Sequence, residues 1–157
     1  MAVLHPGNPF PPLSITPPGA DPVQVPDVFD GWFGVVLFYR GAWCPYCVAQ
    51  LRAFQRATDA LHDAEVAVVA LSVDDEATTA DLIAKHRLTF PIGHSADAAA
   101  LAELTGAFVN ADPVFLQSTG FVLDPQGKVV ISVYSSGAIG RLVPEDVVAL
   151  VRYIRQH

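Results

Sequence analysis

The sequence predicts an α/β protein: a single domain over residues 1–157 with a central mixed β-sheet flanked by helices. Three observations carry this. Val35–Tyr39 and Val66–Val73 are unbroken apolar runs of strand length, the pattern of strands covered on both faces. Each run leads into a segment of helical periodicity, and such crossovers join parallel strands. Gly120–Tyr134 holds two β-rich runs around Asp124-Pro125-Gln126-Gly127, a hairpin whose strands must be antiparallel.

Eight of the 13 prolines lie in residues 1–26, which rules out a regular helix and leaves an extended arm. Phe10, Leu13 and Ile15 are apolar enough to pin that arm to the body, and Val23–Val25 reads as a short edge strand before an Asp30-Gly31 turn. After the strand 35–39, a helix is expected over 44–61. Cys47, Leu51, Phe54, Thr58 and Leu61 recur on one stripe of it, mostly apolar. The run 66–73 comes next, then a helix capped by Asp74 or Asp75 and running to His86. A short strand is expected over 88–92. Ser95 or Asp97 caps a helix over 98–104 that ends at Gly106. After the hairpin, Pro144 opens the last helix, with Glu145 and Asp146 in its first turn and Arg152 and Arg155 near its end, both complementing the helix dipole.

Composition narrows the function. At 52% hydrophobic residues the chain can fill a core without disulfide staples, and its two cysteines allow only one bridge. A net charge of −7 with scattered carboxylates offers no basic surface for nucleic acid or anionic lipid. No segment reaches the run of about 20 apolar residues that a membrane span needs. The first residues lack a basic start and an apolar stretch, so a cytoplasmic location is expected.

The chemistry is concentrated in Trp43-Cys44-Pro45-Tyr46-Cys47. A separation of three residues is about one helical turn, close enough for a disulfide to close with little backbone movement. Cys44 opens the helix, where free N–H groups and the positive end of the dipole favour a thiolate. Cys47 lies on the apolar stripe. The pair therefore reads as an exposed nucleophile, Cys44, and a half-buried resolving thiol, Cys47, with Pro45 suited to the first turn. A zinc site would need a second cysteine pair, so neither a metal nor an organic cofactor is expected. Trp43 reads as packing beside the dithiol, and His62, His86 and His94 as surface or cap residues. Arg40 stands open between a solvated loop residue and a functional cation.

Phe38–Leu51, with its core Arg40-Gly41-Ala42-Trp43-Cys44-Pro45-Tyr46-Cys47, together with Phe90–Asp97 and Gly120–Gly127, resembles the thioredoxin-like superfamily. Within it the chain is similar to the peroxiredoxin-like branch of alkyl hydroperoxide reductases and thiol-specific antioxidants. The resemblance implies a thioredoxin-like fold and an oxidoreductase that reduces disulfides or hydroperoxides. Its dithiol would be restored by an external thiol of the thioredoxin, glutaredoxin or glutathione type. The branch's Pro-x-x-x-Thr-x-x-Cys motif, laid over this chain, places Arg40 at the proline, Cys44 at the threonine and Cys47 at the peroxidatic cysteine. The two arguments thus assign the attacking sulfur differently, and the helix position favours Cys44. Ser118, followed by Thr119, falls where the branch carries an activating arginine and thioredoxin-type reductases a cis-proline, which leaves Arg40 or Arg52 as the nearby cation. A redox sensor or adaptor that uses the dithiol only as a switch is the alternative to an enzyme.

Overall fold

In the computed structural model, which describes residues 2–157, the elements follow in this order. Strands β1 (Leu13–Ile15) and β2 (Val23–Val25) precede a single 3-10 turn and β3 (Phe33–Phe38). Helices α1 (Pro45–Arg56) and α2 (Thr58–Asp63) lead to β4 (Val66–Leu71), α3 (Glu76–His86), β5 (Ile92–Gly93) and α4 (Ala98–Thr105). The chain closes with β6 (Val109–Ala111), β7 (Val114–Leu116), β8 (Thr119–Leu123), β9 (Val129–Tyr134) and α5 (Pro144–Gln156).

The main sheet has the order β5-β4-β3-β8-β9. β3 runs parallel to β4, with Phe33 opposite Val66 and Phe38 opposite Leu71, as the two crossover-linked apolar runs require. β8 pairs antiparallel with both β3 and β9, so the sheet is mixed. The β8–β9 turn is built as its residues predict. The Asp124 carboxylate accepts the N–H groups of Gln126 and Lys128, and Gly127 takes the left-handed conformation (φ 79°) that closes the turn.

Alternation along β3 divides the core in two. Phe33, Val35 and Leu37 face α1, α2, α3 and α5, packing with Leu51, Phe54, Leu82 and Val151. Val36 and Phe38 face the opposite layer, made of α4, β7 and the N-terminal segment, where Phe10, Leu13, Ile15 and Val25 are buried. That segment is tied to the sheet: β1 pairs with β2, and the N–H groups of Gly7 and Phe10 donate to the carbonyls of Val129 and Gly127.

Three elements differ from the sequence reading. The helix expected over 44–61 is broken at Ala57, where the Thr58 hydroxyl donates back to the Gln55 carbonyl and the backbone leaves helical geometry. The strand expected over 88–92 contributes only Ile92–Gly93 to the sheet, because Thr89 is held by the Gln55 amide and Pro91 has no N–H for a ladder. Of the two caps expected for α4, Asp97 fills the position, as the sequence allowed, and Ser95 sits in the left-handed region before it. The β6–β7 hairpin, with strands of three residues each, is too short to register as a strand pair in the sequence.

Candidate active site

The site forms where β3 ends and α1 begins. Beyond Phe38 the chain turns through Arg40 and Gly41, and this loop is held from the next strand's end: the Asp74 carboxylate accepts the Ala42 N–H at 2.8 Å. A Cβ on Gly41 would come within 2.2 Å of the Trp43 indole nitrogen, so the close passage of the loop beneath the indole requires glycine. Cys44 is the N-cap of α1 and its sulfur accepts the Cys47 N–H at 3.3 Å, in the place where an oxygen-bearing cap residue usually sits. Pro45 occupies the first turn, as expected.

Two arginines converge on the sulfurs. Arg40 Nη1 lies 3.7 Å from Cys44 Sγ, and Arg141 Nη2 lies 3.6 Å from Cys44 Sγ and 3.3 Å from Cys47 Sγ. The Arg40 backbone N–H also donates to Cys47 Sγ at 3.3 Å. Arg141 is steadied by donating from Nη2 to the Ala138 carbonyl at 2.8 Å.

These contacts separate the two thiols electrostatically. Burial works to raise the Cys44 thiol, but it is outweighed by hydrogen bonds from the Cys47 thiol and N–H and by Arg40 and Arg141, so Cys44 ionises below the ordinary cysteine range. Burial pushes Cys47 up to about 11, reinforced by the proton it holds against Cys44. Of the pair, Cys44 is therefore the sulfur that ionises first, and the Cys47 thiol donates a hydrogen bond to it.

One expectation is overturned. Cys44 is not the exposed member of the pair: Cys44 and Cys47 are both 0% exposed, and both are free thiols. The guanidinium groups of Arg40 and Arg141 lie against the sulfurs, so a helix N-terminus that would face solvent by itself is covered by one near neighbour and one residue 97 positions away.

The structure brings Arg40 and Trp43 to the site but leaves others aside. Arg40 sits 4.9 Å over the Trp43 ring and 5.0 Å over the Phe115 ring, which themselves meet edge-on at 5.0 Å. Its Nε donates to Gln117 Oε1 at 3.1 Å. Trp43 and Tyr46 flank the dithiol at the surface, 56% and 53% exposed. Arg52 is exposed on α1, and its charge acts on His86 rather than on the cysteines. The Ser118 and Thr119 side chains are buried but do not donate to either sulfur; Thr119 Oγ1 turns back to the Gln117 carbonyl.

Sequence reasoning missed Arg141, Gln117 and Phe115. Arg141 carried one readable signal, as the lone charge in the apolar loop Ala138–Val143. Gln117 carried none.

Residues 6–132 match the AhpC/TSA family. The chain belongs to that family. Its curated relatives include a peroxiredoxin of Methanothermobacter thermautotrophicus, 27% identical over 155 residues that cover 95% of this chain and 72% of the relative. Alkyl hydroperoxide reductase C of Mycolicibacterium smegmatis is 28% identical, with 92% and 82% covered. The human mitochondrial thioredoxin-dependent peroxide reductase is 28% identical over 83% of this chain, which spans about half (54%) of that protein. Among solved structures, peroxidoxin BcpB of Mycobacterium tuberculosis superposes with a TM-score of 0.83 at 18% identity, covering 97% of this chain and 99% of that one. Mycobacterium bovis AhpC gives 0.79 at 21% identity, with 99% and 94% covered. The fold is thioredoxin-like, and this AhpC/TSA member is an oxidoreductase of the peroxiredoxin-like kind. Among the described residues, no helix is long and apolar enough to cross a membrane.

Proposed function

We propose that the chain is a thiol peroxidase in which Cys44 attacks and Cys47 resolves. The observation that carries this reading is the Cys44 sulfur at the helix N-cap, with the Cys47 N–H at 3.3 Å and two guanidinium groups within 3.7 Å. The Cys44 thiolate attacks the terminal oxygen of a hydroperoxide and the O–O bond breaks. The sulfur becomes a sulfenic acid, and the departing alkoxide or hydroxide takes up a proton to leave as alcohol or water. Arg40 and Arg141 are placed to hold the negative charge that develops on the leaving oxygen. The Cys47 thiol then attacks the sulfenic sulfur, expels water and closes the Cys44–Cys47 disulfide. Two equivalents of an external thiol, or one external dithiol, reopen it.

Burial of both sulfurs supports a hydroperoxide over a protein disulfide as oxidising substrate. A molecule of a few atoms needs only small side-chain movements to reach Cys44, whereas a protein-borne disulfide needs an open sulfur. A second reading exchanges the roles of the two cysteines. It rests on the Arg40 N–H and Arg141 Nη2, both 3.3 Å from Cys47 Sγ, and on the place of Cys47 in the motif comparison.

The test is stopped-flow oxidation of the reduced protein by hydrogen peroxide, an organic hydroperoxide and a small model disulfide in parallel. A hydroperoxide should react fastest and turn over with excess reductant. A faster reaction with the disulfide, or a single turnover with reductant in excess, would overturn the peroxidase reading.

A further inference from the structure

Arg40 is an unlikely residue to hold a fixed position by itself. Its side chain is long and flexible, and it leaves a surface loop from which the guanidinium would ordinarily extend into water. Here Nε, Nη1 and the face of the group are each engaged. Nε donates to Gln117 Oε1 at 3.1 Å, Nη1 reaches Cys44 Sγ at 3.7 Å, and the central carbon lies 4.9 Å and 5.0 Å from the Trp43 and Phe115 ring centroids. Gln117 is only 8% exposed, and its backbone N–H is bound to the Phe108 carbonyl at 2.8 Å, so the acceptor rests on the β6–β7 hairpin. The hydrogen bonds to the two sulfurs come from Arg40, Arg141 and the Cys47 N–H, so Gln117 reaches the chemistry through the arginine.

We propose that Gln117, with the Trp43–Phe115 pair, is a positioning device that aims the Arg40 guanidinium at Cys44, and so sets the reactivity of the attacking thiol. The inference rests on Cys44 being the attacking sulfur. The planar fork of arginine is what lets one group satisfy both ends: Nε is committed to Gln117 while Nη1 is left pointing at the sulfur. Lysine, with one compact ammonium, cannot span the two partners. The β6–β7 hairpin thereby acquires a role, because it brings Phe115 and Gln117 across the sheet to a residue 77 positions earlier in the chain.

The experiment is a double-mutant cycle read by pH. Alkylation of Cys44 by iodoacetamide is followed by mass spectrometry from acid to alkaline pH in the wild type, Gln117→Met, Arg40→Met and the double variant. Gln117→Met keeps the length and removes the acceptor. Its profile should move to higher pH, with Cys44 labelled about 3- to 10-fold more slowly on the acid side, the range expected when one charge-assisted contact is loosened. In the Arg40→Met background the same substitution should change nothing further, because no guanidinium remains to be aimed. An equal loss in both backgrounds, or an unshifted profile in Gln117→Met, would overturn the proposal. Trp43→Leu alters only a surface side chain and should move the profile in the same direction, so the proposal stays testable if Gln117→Met folds poorly. Alkylation consumes no peroxide, so a protein inert to hydroperoxides would refute the proposed activity while leaving this result readable. Labelling of Cys47 ahead of Cys44 would refute the assignment of roles instead.

Discussion

Replacing Arg141 by glutamine gives a direct measure of how the site activates sulfur. Arg141 Nη2 is 3.6 Å from Cys44 Sγ and 3.3 Å from Cys47 Sγ, and the sulfurs are buried, so solvent does little to screen the contact. A hydrogen bond to a charged partner contributes about 1.5–3 kcal/mol, which corresponds to about a 10- to 100-fold weaker ionisation of the Cys44 thiol when it is lost. Below both pKa values the thiolate fraction falls about 10- to 100-fold. The more basic thiolate is also the better nucleophile, with a Brønsted coefficient of about 0.4–0.5, so the net rate should fall about 3- to 15-fold. Above both values all of the sulfur is ionised and only the second effect remains, so Arg141→Gln should then react about 3- to 10-fold faster. The two pH–rate curves therefore cross. The assay is reaction with a small model disulfide as a function of pH, in a Cys47→Ser background so that a single sulfur reports. A uniform loss at every pH would show that Arg141 acts by packing or by shaping access, and an unchanged curve would show that it does not act on Cys44.

Three other outcomes are expected. With peroxide, Cys47→Ser should accumulate a sulfenic acid at Cys44, whereas Cys44→Ser should lose the fast step; a dimedone adduct mapped to Cys47 in Cys44→Ser, formed at the wild-type rate, would reverse the roles. The reduced protein should lose stability between about pH 9 and pH 12, because Cys47 is raised to about 11 and Tyr39, buried beside the site, to about 12. Both groups favour the folded state while protonated, so their contribution is complete below their unfolded pKa values and is lost as pH rises through the folded ones. Each is of order 2–3 kcal/mol, read as the urea midpoint at neutral and alkaline pH in wild type, Cys47→Ser and Tyr39→Phe. Gly41→Ala should displace the Trp43 indole, which a Cβ would meet at 2.2 Å, and so change the tryptophan fluorescence and slow Cys44 alkylation at low pH.

The elements legible in the sequence are those whose cause is local. Val35–Phe38 and Val66–Leu71 are apolar at every position, and a strand buried on both faces leaves no other pattern available. Asp75 and Asp97 cap their helices through their own carboxylates, Pro144 begins α5, and Asp124-Pro125-Gln126-Gly127 builds its turn from its own side chain and glycine. The dithiol belongs to this class as well: a separation of three residues at a helix start brings two sulfurs together whatever surrounds them, and Cys44 as N-cap follows from position alone.

Tertiary structure decided what depends on residues far apart in the chain. Cys44 is covered in part by Arg141, 97 residues away, and Arg40 is hydrogen-bonded to Gln117, 77 residues away. Local pattern carries no trace of either distance. The approach of Arg141 to both sulfurs from the loop before α5 is set by tertiary packing, which ties that loop to α1 where Gln50 Nε2 donates to the Leu142 carbonyl. The same holds for the two thiols. Spacing makes them a pair, but their division into a low-pKa and a high-pKa member depends on desolvation and on converging guanidinium charges, which exist only once the chain has folded around them.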